Sequence, residues 1–147
     1  MSNNKISVVI NTYNASQHLA RVLETVKDFD EIVICDMEST DDTCDIAKRY
    51  GCKIVVFPKG DCKICEPARQ TAIDAASHKW VFVVDADELV PMQLKDYLYG
   101  LIAHEDVAQG YYVPRKSKFM GRFMHCFYPD YQLRFFIKEG TVWPAII

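Results

Sequence analysis

Four short apolar runs, each followed by a stretch with helical spacing, constrain this chain more than any other feature of it. Residues 6–10 (ISVVI), 31–35 (EIVIC), 53–57 (KIVVF) and 80–84 (WVFVV) have strand length and are rich in β-branched residues. Runs apolar on both faces are what a buried parallel sheet requires. The intervening segments carry helix signals. Ser16 is placed to cap a helix with Leu19, Val22, Leu23 and Val26 on one face. Thr40 or Asp41 is placed to cap a second, with Cys44, Ile46, Ala47 and Tyr50 as apolar positions and Gly51 as its stop. Residues 66–77 turn Ala68, Ala72, Ile73 and Ala76 inward, and Pro91 opens a helix running to about His104. This βαβαβαβα rhythm predicts an α/β fold with right-handed crossovers and a largely parallel sheet flanked by helices. Beyond Gln109 the rhythm changes. Residues 110–114 and 132–137 read as strands around a turn-rich stretch containing Phe119, Phe123, Phe127, Tyr128 and Tyr131. The chain therefore divides into an α/β part, residues 1–108, and a following segment of the same domain, residues 109–147. Its last residues, Trp143 to Ile147, form no polar tail, which predicts a C-terminally truncated domain.

Bulk properties exclude several classes of function. At 147 residues, 50% hydrophobic and 25% charged, the chain suits one folded domain and not a disordered or fibrous protein. The net charge is −3, and no basic block exists beyond Arg115, Lys116 and Lys118. Phosphate-backbone binding needs a basic face, so nucleic acid is not an expected partner. The first residues lack the apolar core of a signal peptide, and no apolar run is long enough to span a bilayer. A cytoplasmic protein is expected, with peripheral attachment to a membrane left open. Of the six cysteines, Cys35 and Cys44 read as small buried hydrophobes, Cys35 in a strand and Cys44 in a helix. Cys62 and Cys65 have the spacing of half a zinc site or a redox pair. No second pair or nearby His completes it, so they are expected to be reduced, metal-free thiols.

In an open α/β sheet, ligands bind beyond the carboxyl ends of the strands. Three polar clusters fall there: Asn11 to Asn14, Asp36 to Asp42, and the acidic turn Asp85, Ala86, Asp87, Glu88. Two carboxylates one residue apart at a strand mouth suit Mg²⁺ or Mn²⁺. Such ions take one or two protein oxygens and leave room for water and phosphate. The ion would offset the charge of a pyrophosphate leaving group.

Residues 7–14 (SVVINTYN), 32–36 (IVICD) with 39–43 (STDDT), 68–70 (ARQ) and 82–88 (FVVDADE) together resemble the family-2 glycosyltransferases in order and spacing. Residues 129–136 (PDYQLRFF) are similar to the downstream segment of members that build bacterial lipopolysaccharide cores. The resemblance covers nearly the whole chain. It implies the glycosyltransferase-A fold, with residues 1–108 as the nucleotide-sugar-binding part and residues 109–147 as the start of the acceptor side. It also implies a nucleoside-diphosphate sugar donor, UDP-sugar first, a divalent metal, and inversion at the anomeric carbon. A glycan or lipid-linked acceptor follows, at the inner face of the cell membrane, and a homo-oligomer stays open.

Carried over by position, Thr12, Tyr13 and Asn14 would line the nucleoside pocket. Asp36 would accept a hydrogen bond from the base, and Arg69 would help hold the nucleotide. Asp85 would contact ribose or a metal-bound water, and Asp87 would be the metal ligand. Met37 and Glu38 stand where the family commonly has small or glycine-containing residues, and the Cys62–Cys65 loop is also unusual. Each residue has a structural alternative. Thr12 and Asn14 are also placed to cap the first helix, though the other clusters favour a ligand role, Asp36 to form a turn, and Arg69 to pair with Glu66 at i, i+3. His18, His78 and His104 fall at helix surfaces or ends, without a catalytic part. An inverting transfer needs a carboxylate base. Among Glu105, Asp106, Asp130 and Glu139, Asp130 is the choice, with a capping or Arg134-paired carboxylate as its alternative. Two further functions compete: a non-catalytic sugar-nucleotide-binding fragment, and a haloacid-dehalogenase-like phosphatase suggested by the strand and DxD at residues 82–87.

Overall fold

The computed structural model describes residues 4–60, 66–103, 110–115, 118–119, 122–123 and 130–139, with side chains described within 4–60, 68–103 and 134–139. Its strands are β1 (Ile6–Thr12), β2 (Glu31–Asp36), β3 (Lys53–Val56), β4 (Trp80–Val83), β5 (Gly110–Arg115), β6 (Lys118–Phe119), β7 (Arg122–Phe123) and β8 (Asp130–Ile137). The helices are α1 (Leu19–Val26), α2 (Thr43–Arg49), α3 (Glu66–Ala75) and α4 (Met92–Ile102). Six strands form one sheet in the order β3-β2-β1-β4-β8-β5, and β6 and β7 form a separate ribbon. The β1–β2, β1–β4 and β2–β3 pairs are parallel, while β8 runs antiparallel to both β4 and β5. Pro114 sits on β5, an edge strand of the sheet, where proline is tolerated.

Side-chain alternation sorts the core onto two faces. Val8, Ile10, Ile34, Phe82 and Phe135 pack with α1, α2 and α4. Val9, Val33, Cys35, Val81, Val83 and Phe136 pack with Ala68, Ala72 and Ile73 of α3. The small residues of α3 let this single helix lie close to the sheet. Trp80 stacks on Phe135 at 4.9 Å between ring centroids, fixing β8 against β4. Arg134 therefore falls on the Phe136 face, the one that α3 covers.

Local signals held with adjustments. β1 runs on to Thr12 and β2 to Asp36, because their parallel pairing continues through Thr12↔Asp36. Ser16 does not cap α1. That helix begins at Leu19 after a turn in which the Leu19 N–H donates to the Ala15 carbonyl, and the cap position falls on His18 without a side-chain bond. α2 begins at Thr43 with its cap position on Asp42, which makes no side-chain cap bond, one residue beyond the expected caps; Asp41 still accepts the Thr43 N–H, at 3.0 Å. Gly51 ends α2 at φ +72°. The Gly51 and Cys52 amides donate back to Lys48 and Ala47, the reciprocal pair of a Schellman stop. Among the described residues no helix is long and apolar enough to cross a membrane.

Candidate functional site

Parallel pairing of β1 with β2 and β4 puts their carboxyl ends at one edge, and the strand order reverses on either side of β1. The three polar clusters expected to meet there do so, on either side of the switch point.

The β1 and β2 ends are joined by a hydrogen-bond network. Asp36 is 2% exposed, and its carboxylate accepts from Thr12 Oγ1 at 2.7 Å, from Ser39 Oγ at 2.6 Å and from the Ser39 N–H at 2.8 Å. The turn-forming part of Asp36 is thus real, and it also ties β1 to β2. Asn14 takes the left-handed conformation at φ +49°, where Asn is tolerated, and its Oδ1 accepts the Thr40 N–H at 2.8 Å. Its own N–H donates to Ser39 Oγ. Neither Thr12 nor Asn14 caps α1, so the capping alternative is set aside. Asp41 accepts the Ser16 N–H at 3.1 Å and holds Thr43 Oγ1, and Thr43 Oγ1 in turn accepts the Ala15 N–H. These bonds keep the Asp41 carboxyl down at about 2, the bond from the Thr43 hydroxyl contributing most. Cys44 corrects its reading as a buried hydrophobe. It is half-buried, and burial first, then the Asp36 charge, raises its thiol pKa.

The residues after Asp36 explain a departure from the family pattern. Glu38 adopts φ +63°, the left-handed region in which glycine is unstrained, while Met37 is buried in the core beneath α3. Glu38 holds this conformation with its carboxylate accepting the Lys59 N–H at 3.1 Å. The Lys59 ammonium lies 4.7 Å from the centroid of the Tyr13 ring, which is about half exposed at the same edge.

The acidic turn is built differently. The Glu88 N–H donates to the Asp85 carbonyl, and the Glu88 carboxylate accepts the Asp85 N–H at 2.8 Å. Asp85 Oδ1 pairs with Arg69 of α3, and Oδ2 with Arg134 of β8 at 3.1 Å. Arg134 also reaches both Glu88 oxygens and the Val83 carbonyl. Burial alone would raise the Asp85 pKa, but the Arg134 and Arg69 charges hold it below the usual carboxylate value. Arg69 is buried, so it is not the solvated helix residue of the alternative reading. Asp87 is exposed and has no hydrogen bond or ion pair among the described residues. No group of three or more metal-ligating side chains comes together among those residues. A divalent cation held by Asp87 would keep open positions for phosphate and water, the mode that suits Mg²⁺.

Glu88 carried no assigned part in the sequence reading beyond its place in the acidic turn, and Arg134 only that of an alternative partner for Asp130. The available signal was a charged residue between Leu133 and Phe135 in an apolar strand, since a buried guanidinium has to be paired. Arg134 meets Asp85 and Glu88; Asp130 opens β8 opposite Arg115, and its side chain lies outside the described residues. Cys62, Cys65 and His104 also lie outside them. His18 Nδ1 accepts from the Arg21 guanidinium at 3.0 Å on the surface of α1.

A parallel sheet with an acidic turn at its switch point and an antiparallel strand beyond it is the glycosyltransferase-A fold. The chain belongs to glycosyl transferase family 2, whose family model matches residues 7–145. It is 36% identical over 104 residues to an uncharacterised glycosyltransferase of Rickettsia conorii, covering 67% of this chain and 34% of that one. With the lipopolysaccharide core biosynthesis glycosyltransferase LpsC of Rhizobium meliloti it shares 30% identity over 119 residues, 79% of this chain and 44% of the relative. Glucosyl-3-phosphoglycerate synthase from Mycobacterium tuberculosis, solved with Mn²⁺, UDP and glucosyl-3-phosphoglycerate, superposes with a TM-score of 0.56. That match has 25% identity and covers 75% of this chain and 43% of the synthase. The chain thus spans between a third and a half of the length of these proteins.

Proposed function

We propose that this chain binds a nucleoside-diphosphate sugar, UDP-sugar first, and that the protein transfers the sugar with inversion to a glycan or lipid-linked acceptor. The carrying observation is the asymmetry of the acidic turn: Asp85 and Glu88 are committed to arginines, while Asp87 faces solvent at the switch point. Support for UDP and a metal comes from the synthase just described, and support for a cell-envelope acceptor from LpsC.

Residues 1–108 would then hold the donor and residues 109–147 begin the acceptor side. Tyr13 offers an exposed ring for the base, beside Thr12 and Asn14, and Asp36 stands at the same edge to accept a base N–H. Asp85 faces ribose or a metal-bound water while Arg69 holds it ionised. Asp87 would hold Mn²⁺ or Mg²⁺, which when bound neutralises the diphosphate leaving group. Asp130 is the proposed base, taking the proton of the acceptor hydroxyl as the new bond forms. The cytoplasmic face of the membrane is the proposed place of work, and self-association of the chain remains compatible with it.

Calorimetric titration with UDP, with and without Mn²⁺, tests this reading. Wild-type binding should tighten with Mn²⁺, and Asp87→Ala should abolish that gain and leave the fold intact. Metal-independent binding by the wild type, or a full Mn²⁺ gain in Asp87→Ala, would remove Asp87 from the role. In the full-length protein, Asp130→Asn should keep donor affinity and lower turnover by about 100-fold or more; near-normal turnover would exclude it.

A further inference from the structure

The acidic turn is supported from a place the donor-binding half does not contain. Arg134 lies on β8, 46 residues beyond Glu88 in sequence, and is 6% exposed. One nitrogen of its guanidinium donates to the Val83 carbonyl, at the last residue of β4, and to Glu88 Oε1. The other donates to Asp85 Oδ2 at 3.1 Å and Glu88 Oε2 at 3.3 Å. A single rigid fork thus spans the strand end and both carboxylates that flank Asp87. Glu88 Oε1 also accepts the Asp85 N–H, so the clamp reaches the backbone of the turn as well as its side chains. Only a planar guanidinium supplies donors in this arrangement; an ammonium is a point charge and cannot bridge them all.

We propose that Arg134 is a positioning residue for the metal turn, and that Glu88 is its structural counterpart and not a metal ligand. By fixing Asp85 and Glu88, Arg134 sets where the intervening Asp87 carboxylate points, and it ties that direction to the seating of β8 against β4. This inference rests on the proposed role of Asp87.

The test compares UDP affinity with and without Mn²⁺ in Arg134→Met, Arg134→Lys, Glu88→Gln and Asp87→Asn, each checked for folding by circular dichroism and thermal melting. Loss of a residue that orients a ligand lowers metal affinity by about 10–100-fold. Arg134→Met should lose most of the Mn²⁺-dependent gain and keep metal-free UDP binding within about twofold. Arg134→Lys should recover part of the gain. Should Arg134→Met fail to fold, Glu88→Gln decides: it should lose part of the gain, and less than Asp87→Asn loses. An undiminished gain in folded Arg134→Met or in Glu88→Gln overturns the proposal, as does full recovery in Arg134→Lys. A loss in Glu88→Gln equal to that in Asp87→Asn also overturns it, by making Glu88 a ligand. Wild-type UDP binding that ignores Mn²⁺ defeats the metal role of Asp87 itself, and this inference with it.

Discussion

Two regions of one sheet edge are held in shape by different physics. The loops after β1 and β2 are braced by hydroxyls, amides and the short carboxylate chains of Asp36 and Asp41, within about one βα unit of sequence. Among the described residues no basic side chain enters that brace: Thr12, Asn14, Ser39, Thr40 and Thr43 do the bonding. The turn after β4 is instead held by two buried arginines, one from α3 and one from β8, 16 and 49 residues from Asp85. A brace of local hydrogen bonds loses strength one bond at a time, whereas buried ion pairs fail together, because removing one partner leaves the other charge uncompensated. The loops after β1 and β2 can thus lose single bonds and keep the rest, while the turn after β4 cannot lose one partner without leaving a buried charge unpaired.

Substitution at the charged turn should separate the two regions most clearly. Asp85→Ala leaves Arg69 and Arg134 without one of their carboxylates, and the domain should lose about 3 kcal/mol of stability in chemical denaturation. A loss below that of the hydroxyl brace would reverse the comparison. On the other side, Thr12→Val removes one buried hydrogen bond to a carboxylate while keeping the shape of the side chain. Asp36 retains both Ser39 bonds, so a loss of about 1.5–2 kcal/mol is expected by the same measurement.

Gly51→Ala lies outside both regions and calibrates a purely backbone effect. An added Cβ would meet nothing within 4 Å, so only the left-handed φ is penalised, by about 1 kcal/mol. The smallest effect concerns pH. Asp41 has its carboxyl held at about 2 by the Thr43 and Ser16 bonds, against an ordinary value of 3.8. A depressed folded-state pKa contributes stability above the unfolded value, and that contribution disappears as pH falls from about 4 to about 2. Asp41→Asn should flatten the stability profile in that window and lower stability above it, where the ionised carboxylate contributes. A slope identical to wild type would show that the brace does not depend on the Asp41 charge.

How far the residues alone disclose the molecule follows the same division. Strand positions, the inward alanines of α3, the Gly51 stop and the meeting of three polar clusters were legible, because each depends on spacing within a dozen residues or on the fixed hand of a βαβ crossover. The start of α1 was misplaced by the Ser16 signal, since the preceding turn satisfies itself through Ala15 and partners beyond β2. The left-handed Glu38 looked like a break in a family pattern until its bond to the Lys59 N–H accounted for it.

What the sequence by itself determined is the parallel α/β frame, the edge at which chemistry is placed, and the candidacy of Asp36, Asp85 and Asp87. Only the tertiary structure decided which carboxylates are free. Asp85, Asp87 and Glu88 are alike as residues, and nothing within their turn distinguishes a paired carboxylate from an available one. That distinction is made by Arg69 and Arg134, which arrive from distant segments when α3 covers the sheet and β8 docks antiparallel on β4. Burial then forces the charges to pair, since an isolated ion is too poorly solvated there, and the one carboxylate of the turn that no arginine among the described residues reaches is left facing the solvent.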